Sequence, residues 1–214
     1  RPVFVVVPAG TGNDFGRALG LPQDARKALV PLLNAQPRAL DVGLCNGEYF
    51  VETLSFGLDA AIALDTTRVR AETGKSGASV YFQCGIDQLT NHLTSYSYRG
   101  SLGNKLLEGK CVTFAVQNGP YYGGGFKICP DAQLDDGILD LCVSHPPITI
   151  PRALYTFVRA KSGSHTKMKP VERLTGKKMI IEFDEEPPCQ IDGEPMIAKR
   201  FEVTCVPSAL QVLF

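Results

Sequence analysis

The sequence has no apolar run near the roughly 18 residues that a membrane span requires, and no signal-peptide pattern, so neither a spanning helix nor a secretory leader is expected. Excess charge is also missing. Lys plus Arg and Asp plus Glu are both 22, so there is no basic field of the kind that nucleic acid needs, and nucleic-acid binding is excluded from the expected partners. The seven cysteines (Cys45, Cys84, Cys111, Cys129, Cys142, Cys189, Cys205) include no C-x-x-C pair, and several lie inside apolar stretches. They read as buried, reduced thiols of a cytoplasmic protein. His92, His145 and His165 are scattered, which leaves little basis for a zinc site. No internal repeat, low-complexity tract or long linker interrupts the 214 residues.

What remains is an ordinary globular composition, 44% hydrophobic and 21% charged, in a chain long enough for a full core. Charge is segregated near the end: Arg159 to Lys178 is basic and Glu182 to Glu194 acidic. Such runs are commonly solvated; the functional alternative is a basic surface facing anionic headgroups beside an acidic cluster near a metal.

Val3 to Val7 is an uninterrupted β-branched and aromatic run that predicts a strand buried on both faces, as in a parallel sheet. A turn-rich loop follows, Pro8 to Asp14, and then helices over Phe15 to Leu19 and Asp24 to Asn34. From Arg38 the texture changes to short strands. Ala39 to Cys45 and Tyr49 to Phe56 flank an Asn46-Gly47 hairpin signal, and further strands are predicted over Cys111 to Gln117, Ile138 to Ser144, Lys178 to Phe183 and Phe201 to Val206. Helices are predicted over Ser79 to Leu93, with Phe82, Ile86, Leu89 and Leu93 as core contacts, and near Pro151 to Ala160. The expected class is therefore α+β: a mainly antiparallel β-sandwich with a few helices over residues 41–206, preceded by the remnant of an α/β nucleotide-binding domain over residues 1–40. The tail 207–214 is expected to return as a strand to the first unit.

Three glycine- and acid-rich clusters carry the chemistry. In Gly10-Thr11-Gly12-Asn13-Asp14, glycines at a strand-to-helix junction let backbone N–H groups approach phosphate oxygens, although the same residues also make ordinary turns. Asn118 to Phe126 contains three consecutive glycines, which are entropically costly to order and suggest close approach of a ligand or another backbone. Downstream of it, Asp135 and Asp136 could join backbone carbonyls around a hard cation, or simply make a hairpin. Asp192-Gly193-Glu194-Pro195 is a tight turn beside a carboxylate, and Glu194 is chemically suited to take a hydroxyl proton.

Together, Pro8-x-Gly10-Thr11-x-Asn13-Asp14-Phe15, Tyr122-Gly123-Gly124-Gly125 with Asp136-Gly137-x-Leu139-Asp140, and Asp192-Gly193-Glu194-Pro195 resemble the diacylglycerol kinase superfamily, which includes sphingosine and ceramide kinases. Arg17-x-Leu19-Gly20 and Ser55 to Ala60 are similar to it too. The resemblance implies an ATP- and Mg²⁺-dependent lipid kinase working at the membrane surface as a peripheral protein. It implies that Gly10, Thr11, Gly12, Asn13 and Asp14 serve the nucleotide and that Asp136, with the Gln133 and Ile138 carbonyls, holds a structural Mg²⁺. Glu194 would be the general base, supported by Asp192. The family's Gly-Gly-Asp-Gly-Thr phosphate loop lies upstream of the first motif and is absent, so residues 1–214 alone are expected to be inactive. An NAD kinase-like enzyme and a non-catalytic lipid-binding module are the alternatives. A homodimer is kept open as a partner without the sequence fixing the oligomeric state, and the acceptor lipid is not encoded in any motif.

Overall fold

The computed structural model describes residues 2–75 and 77–214. Two sheets carry the architecture. The first contains β1 (Val3–Val5), β2 (Pro37–Cys45), β3 (Glu48–Phe50), β5 (Tyr96–Leu102), β6 (Lys105–Cys111), β12 (Lys178–Phe183) and β15 (Arg200–Leu213), in the order β3-β2-β15-β12-β5-β6, with β1 parallel to the end of β15. The second contains β4 (Thr53–Gly57), β7 (Thr113–Gln117), β10 (Leu139–Ser144), β11 (Val171–Gly176), β13 (Cys189–Ile191) and β14 (Glu194–Pro195), in the order β11-β10-β7-β4-β13-β14. A short hairpin joins β8 (Tyr121–Tyr122) to β9 (Phe126–Lys127). The helices are α1 (Asp14–Ala18), α2 (Ala25–Leu32), α3 (Leu58–Thr73), α4 (Ala78–Asn91) and α5 (Ile150–Ala160). The expected α+β class, mainly antiparallel, is what the chain adopts.

Strand alternation explains the packing. Phe114 and Val116 of β7, and Leu139, Leu141 and Val143 of β10, join Phe56, Phe183 and Phe201 in a core between the sheets. The intervening Ala115 and Cys142 face the other way, into a second cluster with Ile62, Tyr81 and Phe126 beneath the helices. The second sheet is thus covered on both faces, and β4 and β10 are buried along their whole length. Asn46 and Gly47 turn the β2–β3 hairpin with φ of 49° and 94°, the pair that a tight hairpin requires.

Several expectations are corrected. The first strand spans Val3–Val5 rather than Val3 to Val7, and all three residues are exposed, because β15 is its sole neighbour among the described residues and no layer covers either face. Tyr49 to Phe56 is two strands, broken at Val51–Glu52 where the chain crosses from one sheet to the other. Cys111 to Gln117 is likewise split at Val112, whose N–H donates to Ser144 O and whose carbonyl accepts from Leu58 N–H as the chain changes sheets. On α4, Leu89 is buried as expected, but Phe82 and Ile86 are exposed, and Val80, Tyr81 and Cys84 complete the buried face. The hairpin β5–β6 and the strand β11 were not anticipated. The acidic run does not gather at one point: Glu182 pairs with Arg99 at 2.9 Å, whereas Asp192 turns inward. All seven cysteines are free and buried, and among the described residues no helix is long and apolar enough to cross a membrane.

Candidate active site

The crossing at Val51–Glu52 is the structural centre of the site. Asp192 follows β13 with φ of 45°, and its carboxylate accepts from the backbone N–H groups of Val51 at 2.6 Å, Glu52 at 3.1 Å and Thr53 at 2.8 Å. From the opposite side Asn118 donates Nδ2 to Val51 O at 3.0 Å and to Asp41 O at 2.9 Å. Two of the three sequence clusters therefore grip one crossover. Gln190 fixes the third-cluster turn by accepting from Gly193 N–H at 2.6 Å while donating to Ser55 Oγ at 2.8 Å. Both oxygens of Asp192 are thus committed to backbone N–H groups.

The first and second clusters meet through Asp14. Its Oδ2 accepts the Gly124 N–H at 2.7 Å, and its Oδ1, buried without a hydrogen-bond partner, lies 3.7 Å from Arg17 Nε. A side chain on Gly12 would press on Asp14 Oδ2 and Gly124, so the two glycine stretches run close together. Lys161 closes the far side by donating to Gly124 O at 2.8 Å. Asn13 adopts a left-handed conformation, and its side chain bonds back to Gly10, Oδ1 accepting Gly10 N–H at 2.7 Å and Nδ2 donating to Gly10 O at 2.9 Å. The loop is thereby shaped in advance, with Gly10 and Thr11 exposed.

These contacts frame an open cleft whose lining includes Gly12, Asp14, Gly123, Gly124, Asp192 and Gly193. All three motifs, distant in sequence, contribute to it. Glu194 is exposed on the next residue, outside the lining. The residues that sequence reading missed are Glu52 and, from α3, Thr66, Thr67 and Arg70, which complete the walls. Burial, with the Asp14 and Asp192 carboxylates adding to it, pushes the Glu52 carboxyl up to about 9, and its Oε1 has no hydrogen-bond partner.

An apolar cavity adjoins the cleft, sharing Tyr81 and Tyr122 with it. It lies between the second sheet and the helices, lined by Ile62, Ala115, Ile128 and Phe157 among others. One carboxylate sits in this wall. Asp59 of α3 is fully buried and accepts from Tyr122 Oη at 2.9 Å, and burial lifts its carboxyl to about 7. Gly57 makes this placement feasible: its φ is 84°, and a Cβ there would meet Val112 O at 2.4 Å.

The cation-binding trio expected from the second cluster lies apart from the cleft lining. Asp136 is exposed, its Oδ1 accepting Ile138 N–H at 3.1 Å within its own turn. Asp135 is diverted into an ion pair with Arg38 at 3.0 Å, so it does not join Asp136. Gln133 lines a separate depression with Leu19 and Arg38. Among the described residues, no group of three or more His, Cys, Asp or Glu side chains is arranged to hold a metal.

Fold and site together define an α+β sandwich whose polar, glycine-walled cleft opens beside an apolar chamber. The comparisons narrow that class. Residues 52–214 match the family model of the YegS C-terminal NAD kinase beta sandwich-like domain, and residues 1–45 match that of the diacylglycerol kinase catalytic domain. The chain belongs to this diacylglycerol kinase superfamily of lipid kinases. It is 28% identical over 213 residues to a YegS-like lipid kinase of Pseudomonas aeruginosa, covering 98% of this chain and 67% of that protein. Against the diacylglycerol kinase of Bacillus subtilis it is 28% identical over 196 residues, covering 91% of this chain and 63% of that one. A solved diacylglycerol kinase structure from Bacillus anthracis shares the fold with a TM-score of 0.72 at 20% identity, over all of this chain and 67% of the other. The chain thus spans about two thirds of the length of the relatives it matches.

Proposed function

We propose that this chain forms the greater part of an ATP- and Mg²⁺-dependent kinase that transfers the γ-phosphoryl group to a lipid hydroxyl, with diacylglycerol the leading acceptor. The observation that carries the reading is the shared wall: Tyr81 and Tyr122 belong both to the polar cleft and to the apolar cavity. A hydrocarbon tail in the cavity would hold its hydroxyl at that wall, facing the cleft. NAD, the acceptor in the alternative reading, has no tail to fill such a cavity.

The nucleotide phosphates fit the Gly10–Asn13 loop, because its backbone is shaped by Asn13 and approached by no side chain where Gly12 passes Gly124. Arg70 in the cleft wall and Arg17 beside Asp14 supply positive charge. Bound Mg²⁺ would neutralise phosphate charge, and the Asp136 turn would hold a structural one with the Gln133 and Ile138 carbonyls, the Asp136 carboxylate being exposed. Glu194, exposed at the cleft's edge beside Gly193, takes the acceptor proton, and Asp192 fixes the turn that presents it. Phosphoryl transfer asks little covalent chemistry of the protein, so positioning and charge carry the catalysis. Access to lipid is from outside the bilayer, as a peripheral protein.

The test is transfer from labelled ATP, by a chain extended to the length of its relatives, to a panel of diacylglycerol, phosphatidylglycerol, sphingosine, ceramide and NAD. Label in a lipid confirms the class and names the acceptor. Label in NAD alone, or vesicle binding without turnover, would overturn it.

A further inference from the structure

Cys142 stands apart from the other cysteines in its surroundings. It lies on the helix-facing side of β10, lines the apolar cavity, and places Sγ 3.6 Å from His165 Nε2. His165 belongs to the short turn Ser164–Lys167 after α5; it is 3% exposed, lines the same cavity, and its Nδ1 is buried with no hydrogen-bond partner. Gly163 packs the start of this turn against Lys127 and Pro130, where a Cβ would meet Pro130 Cγ at 2.6 Å. We propose that Cys142, with His165 as its proton carrier, is a covalent modification site for apolar electrophiles that enter the cavity, specifically α,β-unsaturated carbonyl compounds bearing a hydrocarbon tail.

The chemistry closes without an added reagent. His165 Nε2 takes the Cys142 proton, Sγ bonds to the β-carbon of the enal, and the C=C pair shifts to give the enolate. The α-carbon then takes the proton back from His165. One S–C and one C–H bond form, the S–H and the C=C π bond are lost, and nothing is oxidised or expelled. The surroundings favour the thiolate: a hydrogen bond with Cys129 and the neighbouring His165 hold the Cys142 thiol below the ordinary range. Burial has the opposite effect elsewhere, raising Cys45 and Cys111 to about 12 and Cys205 to about 11, which leaves those thiols inert. The apolar lining selects the tail, since most of the cavity wall is hydrocarbon and few of its groups could hold a polar reagent.

The experiment treats the purified chain with trans-2-nonenal, reduces the adduct with borohydride, and reads intact mass and peptide masses. The expected result is one adduct per chain on the peptide carrying Cys142, absent in Cys142→Ala. His165→Gln, checked for folding by circular dichroism, should slow adduct formation at least about tenfold. Unreactive 1-nonanol should slow it saturably in the unmutated chain, a readout that survives even if the His165 variant fails to fold. Adducts spread over the buried cysteines, no adduct on the folded chain under conditions that label the denatured one, or indifference to both nonanol and His165→Gln would overturn the proposal. Adduct mass is read without any kinase assay, so the outcome is separate from that of the phosphoryl-transfer test.

Discussion

Tyr122 donates its hydroxyl to Asp59 Oδ2 at 2.9 Å, and this bond lies in the wall between the polar cleft and the apolar cavity. Asp59 titrates near 7, well above its unfolded value of 3.8, because burial disfavours its charge while the Tyr122 hydrogen bond partly offsets that. The folded state therefore holds the proton more tightly. The stability contribution is full below about pH 4 and is lost as pH rises towards about 7. Tyr122→Phe removes the donor that supports the charged form, so it should cost about 1–3 kcal/mol, and more at pH 8 than at pH 5. Urea unfolding at both values checks this, and an equal loss at the two would contradict it.

Glu52 extends the same argument over a wider window. Its folded value of about 9 exceeds the model-peptide 4.5, so its charged form is held unfavourably, and stability should fall as pH rises from about 4.5 to about 9. Glu52→Gln removes the ionisation while keeping the shape. The variant should melt at least about 3 °C above the parent at pH 8 and within about 1 °C of it at pH 4.5. Thermal scans across that range decide the point: a parent no less stable than the variant at pH 8 shows that Glu52 is not held as a penalised carboxylate.

The sheets and their hairpins were legible in the sequence because alternation and turn residues are local signals; Lys178–Phe183 is predicted to the residue, and Asn46-Gly47 turns as its type demands. The sheet crossings at Glu52 and Val112 were not, because no glycine, proline or asparagine marks them and only partners distant in sequence, Asp192 at one and Ser144 at the other, reveal the break. α3 was equally hard to read. Its inward face carries Ile62 towards the cavity but Thr66, Thr67 and Arg70 towards the cleft, so polar and apolar residues share a face and the helical period loses contrast. The missed β5–β6 hairpin did have a signal, Gly103-Asn104 between its strands. The three motifs were visible as motifs, but their convergence on one cleft is a tertiary fact. Gly124 and Asp14 meet across 110 residues, with β2 through β8 lying between them in the chain.

Asp192 and Glu194 separate by readout. Asp192→Ala strips acceptors from the Val51, Glu52 and Thr53 N–H groups, and should destabilise the chain by about 1–3 kcal/mol and loosen the crossover. Glu194 is exposed, so Glu194→Gln should leave the melting temperature within about 1 °C. In the extended chain with ATP and an accepted lipid, the same Glu194→Gln should lower kcat roughly 10²-fold or more with ATP affinity unchanged. Near-normal turnover would remove Glu194 from the base role.

The Asp136 turn makes the last prediction. Asp41, buried beneath it, accepts Gly137 N–H at 2.6 Å and Ser208 N–H at 2.8 Å, so the turn is tied to β2 and β15 without help from a metal. Asp136 itself adds only a 3.1 Å bond from Ile138 N–H, and being exposed it should cost less than about 0.5 kcal/mol to replace when no divalent cation is present. If Asp136 and its neighbouring carbonyls hold Mg²⁺, the metal binds the folded chain alone, and adding it raises the melting temperature by mass action, about 2.7 kcal/mol of stabilisation at a hundred times Kd. Asp136→Ala should abolish that rise. Asp135→Ala should keep it, because Asp135 is occupied by Arg38 at 3.0 Å on the other side of the turn. Calorimetric scans of the three chains with increasing Mg²⁺ and matched ionic strength read the difference. A parent whose melting temperature ignores Mg²⁺, or an Asp136→Ala chain that responds as the parent does, would take the cation away from this turn and leave Asp136 a hairpin residue.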